Sequence, residues 1–216
     1  MKILVTGPEG VPGSNLVREL LRRRYSVSTL IYNESLSRTL DNFLIDKIYG
    51  IILFPVDLIC FKEHGAVIRC AVSTCIFPAH SKVVVLTNVE GTRYIIKACL
   101  EYSVSRLTYI GTANSSALGR SLNHPWVEII PYTCIKFELD HMDSKRLAHG
   151  VDLYDARRRT MQALLINQTL TIGLYDSKPG SGKMILSLYK RKIPGFPKEG
   201  KNYITAQKFN RKVNTK

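Results

Sequence analysis

Apolar residues in this chain fall into short, nearly continuous runs that alternate with stretches where they recur every three or four positions. Lys2 to Thr6 is such a run, ends at a glycine turn, and reads as a buried strand. Gly13 to Arg24 carries Leu16, Val17, Leu20 and Leu21 on one stripe and predicts a helix. Ser26 to Tyr32, Asp46 to Leu53 and Gly65 to Val72 read as the second, third and fourth strands. Lys82 to Tyr102, with Val85, Val89, Ile96 and Leu100 among its apolar positions, predicts a long helix. A fifth strand is expected over Arg106 to Ile110, part of a helix from Asp140 to about Gly150, and a sixth strand over Thr169 to Leu174. Apolar strands separated by helices mark a parallel sheet covered on both faces. The fold class is therefore α/β, a doubly wound parallel sheet, in which ligands sit beyond the carboxyl ends of the strands. After about Gly180 the pattern weakens, and Lys201 to Lys216 is polar and basic with no apolar period.

Composition narrows the picture. The 216 residues, 45% of them hydrophobic, suffice for one well-buried domain. No apolar run approaches the roughly 18 residues of a membrane span. The first run is too short for the apolar core of a signal peptide, so the expectation is a cytoplasmic protein without a transmembrane segment. Cys60, Cys70, Cys75, Cys99 and Cys134 are odd in number and form no C-x-x-C pair. They read as small buried hydrophobes, and no metal site is expected. The net charge of +14 is unevenly placed: Lys178 to Lys216 holds eleven Lys and Arg against Glu199 alone. Arg157-Arg158-Arg159 and this basic end could meet acidic surfaces by charge, but no nucleic-acid reading motif accompanies them, and they read as solvated faces.

Candidate chemistry sits directly after the first strand. Thr6-Gly7-Pro8-Glu9-Gly10-Val11-Pro12-Gly13 has the spacing T-G-x-x-G-x-x-G and opens the first helix. One glycine permits the tight turn, another lets backbone approach a pyrophosphate, and the last lets the helix pack closely on the strand. The helix N-terminus then offers free N–H groups to phosphate. Strand, turn and amphipathic helix together point to a dinucleotide, NAD or NADP, held by Thr6, Gly7, Gly10 and Gly13. The end of the second strand should choose between them, by an acid on the ribose 2′-OH or an Arg on the 2′-phosphate. Tyr32-Asn33-Glu34 fits neither pattern cleanly; Asn33 can bond a hydroxyl and Arg38 can meet a phosphate, so the choice stays open. Pro179-Gly180-Ser181-Gly182-Lys183-Met184 lacks the first Gly and the final Ser or Thr of a phosphate-binding P-loop, and is not read as one.

Three stretches carry a family resemblance. They are the glycine turn with its strand; Asn88-Val89-Glu90-Gly91-Thr92-Arg93, continuing through Ala98-Cys99-Leu100-Glu101 to Val104-Ser105-Arg106-Leu107-Thr108-Tyr109; and Ser144-Lys145-Arg146-Leu147-Ala148. Over roughly residues 1 to 205 the chain resembles the extended short-chain dehydrogenase/reductases, relatives of the NAD-dependent epimerases and dehydratases. Within them it looks like the branch of 3β-hydroxysteroid dehydrogenases and dihydroflavonol reductases. The resemblance implies an NAD(P)-binding Rossmann domain over 1–177, a remnant of the substrate-binding region over 178–205, and a basic flexible tail over 206–216. It implies an oxidoreductase acting on a hydroxyl or keto group of a small hydrophobic, steroid-like substrate, with a homodimer allowed. The alternative is a non-catalytic nucleotide-binding or interaction protein derived from that family.

The family's mechanism implies a Tyr that moves the alcohol proton, a Lys four residues later that bonds the nicotinamide ribose, and a Ser or Thr after the fifth strand. Two stretches compete. Tyr132 to Lys136 matches Y-x-x-x-K literally. His141 to Lys145 matches by context, with His in the Tyr position, and is favoured because Ser144 and Ala148 flank Lys145 as the family asks. The spacing from Lys145 to a strand at Thr169 also suits one helix and a loop. Thr112 is the first choice for the hydroxyl, with Ser115 and Ser116 behind it. A His at 141, with a pKa of about 6.5 against about 10 for Tyr, implies weak or absent turnover. Two further departures stand out. The family's Gly-Asp after the third strand is here Gly50-Ile51, with the nearest acid at Asp57, and Arg69 replaces the family's His on the fourth strand.

Overall fold

The computed structural model describes residues 1–32, 39–73, 80–113, 140–150, 161–176, 180–193, 195 and 202–213. Six parallel strands form the main sheet: β1 (Lys2–Thr6), β2 (Ser26–Ile31), β3 (Asp46–Tyr49), β4 (Ala66–Arg69), β5 (Arg106–Thr112) and β6 (Gln162–Gln168), in the order β3-β2-β1-β4-β5-β6. The order reverses between β1 and β4, and that is where a doubly wound sheet opens its ligand crevice. The predicted α/β class is the observed one.

Two apolar layers hold the sheet, and strand alternation assigns residues to each. Leu4, Val67, Leu107 and Tyr109 point into one cluster with Phe61, Ile95, Cys99 and Ala148. Ile3, Val5, Ala66, Ile68 and Ile110 point into the other with Leu16, Val17, Leu20, Phe209 and Val213. The first layer is closed by α2 (Lys82–Val85), a π-helical turn (Leu86–Glu90) and α3 (Gly91–Glu101), which together form the predicted long helix, and by α4 (Asp140–Gly150). The second is closed by α1 (Val11–Arg22), whose buried stripe is the one predicted.

Three expectations are corrected. The third strand stops at Tyr49: the Gly50 N–H makes the last bond to β2, on the Ile31 carbonyl at 2.9 Å, and the Ile51 N–H is taken instead by Asp57 Oδ2 at 2.7 Å. The sixth strand of the sheet is Gln162–Gln168 rather than Thr169 to Leu174. Ala163 to Ile166 is a continuous apolar run, and it pairs with β5 in register from Arg106↔Gln162 to Thr112↔Gln168. The run placed there instead supplies β7 (Leu170–Ile172), which pairs in parallel with β8 (Tyr203–Thr205) in a second, two-stranded sheet.

The third correction concerns the basic end. A further helix, α5 (Ser181–Tyr189), is followed by β8 and α6 (Ala206–Val213). α6 is not a loose tail: Ala206, Phe209, Asn210 and Val213 are buried, and Phe209 and Val213 join the layer under α1. The spacing 206, 209, 210, 213 is an apolar face diluted by Asn, with Gln207, Lys208 and Arg211 facing outward.

Phe209→Ala should therefore lower stability by about 3 kcal/mol, as for other buried aromatic deletions. Urea titration followed by circular dichroism checks this; an unchanged midpoint would return α6 to the status of a dispensable tail.

Candidate functional site

The carboxyl ends of β1, β4 and β5 bring Thr6, Arg69 and Thr112 to one edge of the sheet. At the β1–α1 turn, the three glycines do different things. Gly7 has φ +66, and a Cβ there would stand 2.5 Å from Ala71 backbone. At Gly13 a Cβ would lie 2.2 Å from the Gly7 carbonyl oxygen. Gly10 is exposed, and an added Cβ would meet only Pro12 Cδ, at 3.8 Å. So Gly7 and Gly13 are required by packing, whereas Gly10 borders open space. Gly10 is also the N-cap of α1, without a side-chain hydrogen bond to the first turn. The orphan N–H groups of that turn are thus not capped by Gly10, which is what an anion at a helix N-terminus needs. Thr6 Oγ1 is buried with no hydrogen-bond partner among the described residues. Strand end, open cradle and uncapped helix start fit a pyrophosphate.

A second group of residues lies between the sheet and α4. Asn88, fully buried in the π-helical turn, donates from Nδ2 to Ser144 Oγ at 3.0 Å and to the Ser73 carbonyl at 3.2 Å, and its Oδ1 accepts the Ser73 N–H at 2.9 Å. One side chain thereby ties the loop after β4 to α4. The start of α4 is fixed separately, by Asp140 Oδ2 accepting the Ser81 N–H at 2.6 Å. Next to Ser144, Lys145 is 4% exposed and has no hydrogen-bond or ion-pair partner among the described residues. Desolvation, and then the charge of Arg69, lower its pKa to about 8. Arg69 is itself fully buried. It donates from Nη2 to the Thr87 and Asn88 carbonyls at 3.2 and 3.4 Å and lies 4.8 Å from the Tyr109 ring centre. Its Nε and Nη1 find no partner among the described residues, and burial lowers its pKa.

The sequence-predicted residues are distributed as follows. Thr6, Gly7, Gly10, Gly13 and Thr112 stand at the sheet edge, Thr112 at the last position of β5 and half-buried. His141 lies in the first turn of α4, one turn before Lys145. Asn33, Arg38, Ser115, Ser116, Tyr132 and Lys136 lie outside the described residues. The spacing argument for Lys145 fails, because the strand it counted to begins at Gln162 and not at Thr169. What supports Lys145 is its burial beside Ser144 and Arg69. Sequence reasoning missed the linking role of Asn88, whose signal was an Asn inside an otherwise amphipathic helix. It also missed that Asp57 returns to the end of β3, restoring by folding the acid that the order Gly50-Ile51 had displaced. The discounted glycine loop is closed to phosphate: Asp176 Oδ2 accepts both the Gly180 and Gly182 N–H groups at 3.1 Å. Among the described residues, no His, Cys, Asp or Glu cluster could hold a metal ion, and no helix is long and apolar enough to cross a membrane.

The profile of the NAD dependent epimerase/dehydratase family matches residues 3–188. A Synechocystis protein provisionally designated a dihydroflavonol 4-reductase is 25% identical over 207 residues, 93% of this chain and 58% of its own length. The chain therefore spans well under two thirds of that relative. The Thermus thermophilus UDP-glucose 4-epimerase in complex with NAD superposes with a TM-score of 0.82 at 16% identity, over 100% of this chain and 74% of that one. A double mutant of the Streptomyces venezuelae dTDP-glucose 4,6-dehydratase DesIV, with NAD bound, gives 0.81 at 19% identity, over 99% and 70%.

The depressed pKa of Lys145 has a definite consequence for stability. Protonated Lys145 is penalised only in the folded state, so the penalty is complete below pH 8 and is relieved between pH 8 and the unfolded value near 10.5. Lys145→Met should remove that pH dependence, worth about 3 kcal/mol across the window. Parallel stability–pH profiles for the parent and Lys145→Met would disprove the burial of a charged amine.

Proposed function

Because the chain belongs to the NAD dependent epimerase/dehydratase family, we propose that it is an NAD(P)-binding oxidoreductase domain acting on a hydroxyl or keto carbon. The observation that carries this reading is the contrast at the glycine turn: no room at Gly7 and Gly13, open space at Gly10, and a first helical turn that Gly10 does not cap. The backbone N–H groups of that turn would bond the pyrophosphate, and the dipole of α1 would favour its charge. Lys145, with a pKa of about 8, is still largely protonated at pH 7, and its Nζ would donate to a ribose hydroxyl. When bound, the nicotinamide accepts or supplies the hydride. Thr112 would orient the substrate oxygen, and position 141 would hold or release the proton on it. Arg69, although it replaces a His of the family pattern, would add fixed positive charge behind Lys145 and favour electron density developing on that oxygen.

A hydrophobic, steroid-like molecule was the expectation, and nothing among the described residues or in the comparisons supports it. A second reading has one observation in its favour. Position 141 carries His, a residue type whose unperturbed pKa of about 6.5 stands well below the roughly 10 of a Tyr. A chain that binds the dinucleotide without turnover would follow.

Two variants test these readings. Gly10 has φ −77 and ψ 163, a conformation open to any residue, so Gly10→Val should fold normally while its side chain fills the pyrophosphate's space. Loss of NAD and NADP binding by calorimetry, at an unchanged thermal midpoint, is expected; retained affinity would sink the assignment. His141→Tyr should raise turnover about a hundredfold over background while Tyr132→Phe changes little. The opposite pattern would move the active site to Tyr132 and Lys136, and binding without turnover in every variant would establish the non-catalytic reading.

A further inference from the structure

We propose that α5 is an interfacial helix, through which the chain docks on the surface of an anionic lipid bilayer. A helix on the outside of a domain normally turns its apolar stripe to the core and its polar side to water. α5 is apolar on the outside. Its half-buried positions include Met184 and Ser187, and Tyr203 Oη of β8 donates to Met184 Sδ at 3.9 Å. Ile185, Leu186, Leu188 and Tyr189 are 44, 48, 42 and 85% exposed. At 3.6 residues per turn these four occupy roughly 160° of the helix, on the side away from Met184 and Ser187. Lys183 in the first turn, and Lys190, Arg191 and Lys192 directly after the last, are exposed as well. None of these four cations makes an ion pair among the described residues. Between Asp176 and Glu199 the sequence has no acid.

An apolar face flanked by such cations calls for an apolar medium bordered by negative charge, and the headgroup layer of an anionic bilayer offers both. Three other occupants fit less well. A second copy seated on the same face would set Lys183, Lys190, Arg191 and Lys192 against their counterparts, and like charges across an interface are costly. Single-stranded nucleic acid stacks its bases on aromatic rings, whereas three of the four outward residues are aliphatic. A protein surface without acids would cover the apolar face and leave the cations unanswered. At nine residues α5 is about 13 Å long, far short of the roughly 30 Å of a bilayer's hydrocarbon, so it lies in the headgroup plane and does not cross. Ile185, Leu188 and Tyr189 then enter the acyl boundary, while the lysine stems keep their ammonium groups among the phosphates.

Co-sedimentation with vesicles tests this, using phosphatidylcholine alone and phosphatidylcholine with roughly a third phosphatidylserine. The chain should bind the mixed vesicles about tenfold or more tighter than the neutral ones, and lose that difference in about 0.5 M salt. Ile185→Ser, Leu188→Ser and Tyr189→Ser together should weaken binding by about tenfold or more at an unchanged thermal midpoint, since all three side chains already face outward. Lys190→Gln, Arg191→Gln and Lys192→Gln together should weaken it about a hundredfold. Lys208→Gln with Arg211→Gln, which removes two exposed cations of α6, should change it by less than about threefold. Absence of vesicle binding overturns the proposal. So does binding that survives either triple substitution, or that falls as far with the α6 pair, which would make net charge its cause. A dimer dispersed by the serine substitutions, or salt-sensitive binding to single-stranded DNA, in a chain that ignores vesicles, would overturn it in favour of a second copy or of nucleic acid.

Discussion

A methyl group at Gly13 would sit 2.2 Å from the Gly7 carbonyl oxygen, and one at Gly7 would sit 2.5 Å from the backbone of Ala71. These two contacts fix how the chain leaves β1. With no side chain at either place, α1 can start hard against the strand it has just left, and the loop after β4 can close over the turn. The Leu16, Val17 and Leu20 stripe then reaches the sheet layer that α6 also covers. The same closeness leaves the first helical turn facing outward over Gly10. Packing and ligand access are here two results of one steric constraint.

The second centre of the molecule is polar and buried, and its energetics run the other way. Asn88 has both ends of its amide engaged, so it joins α4 to the loop after β4 at little net penalty. Arg69 and Lys145 are not balanced in this way. An unpaired buried charge disfavours the folded state by several kcal/mol, and replacing such groups with apolar ones is often stabilising. Arg69 recovers part of this through two carbonyls and the Tyr109 ring. Those carbonyls belong to the π-helical turn, a widened helical geometry that recurs at functional sites. Two buried cations, Arg69 at the end of β4 and Lys145 on α4, are thus held at a loss in stability.

How much of this could be read from residues alone depended on how local each signal was. The strand, glycine turn and first helix were legible because their pattern is contiguous and each residue type has a single steric role. The long helix over 82–101 was legible from its apolar period, though not the π-helical turn within it, whose carbonyls accept tertiary bonds from Arg69. The sixth strand was misplaced because two β-rich runs lie side by side, Ala163 to Ile166 and Leu170 to Ile172, and only pairing with β5 tells them apart. α6 was read as a tail because its buried face, Ala206, Phe209, Asn210 and Val213, is half polar or small and sits among lysines. Glu9 escaped notice because the strand end whose backbone it holds, at Tyr32, is distant from it in sequence.

The inward setting of Lys145 comes from packing of its helix and not from spacing in the sequence. Counting residues from Lys145 to Thr169 no longer supports it, since that stretch belongs to the small sheet. Yet α4 is held at two separate points, Asp140 on the Ser81 N–H and Ser144 on Asn88, four residues apart. Two fixed points on one helix determine its rotation, so the face that carries Lys145 inward is not adjustable. Position 141 precedes Lys145 by four residues and shares that face by helical geometry alone. The backbone of position 141 is therefore held one helical turn before Lys145. What remains variable is only its chemistry, imidazole in place of phenol, and with it the pH at which the proton can be exchanged.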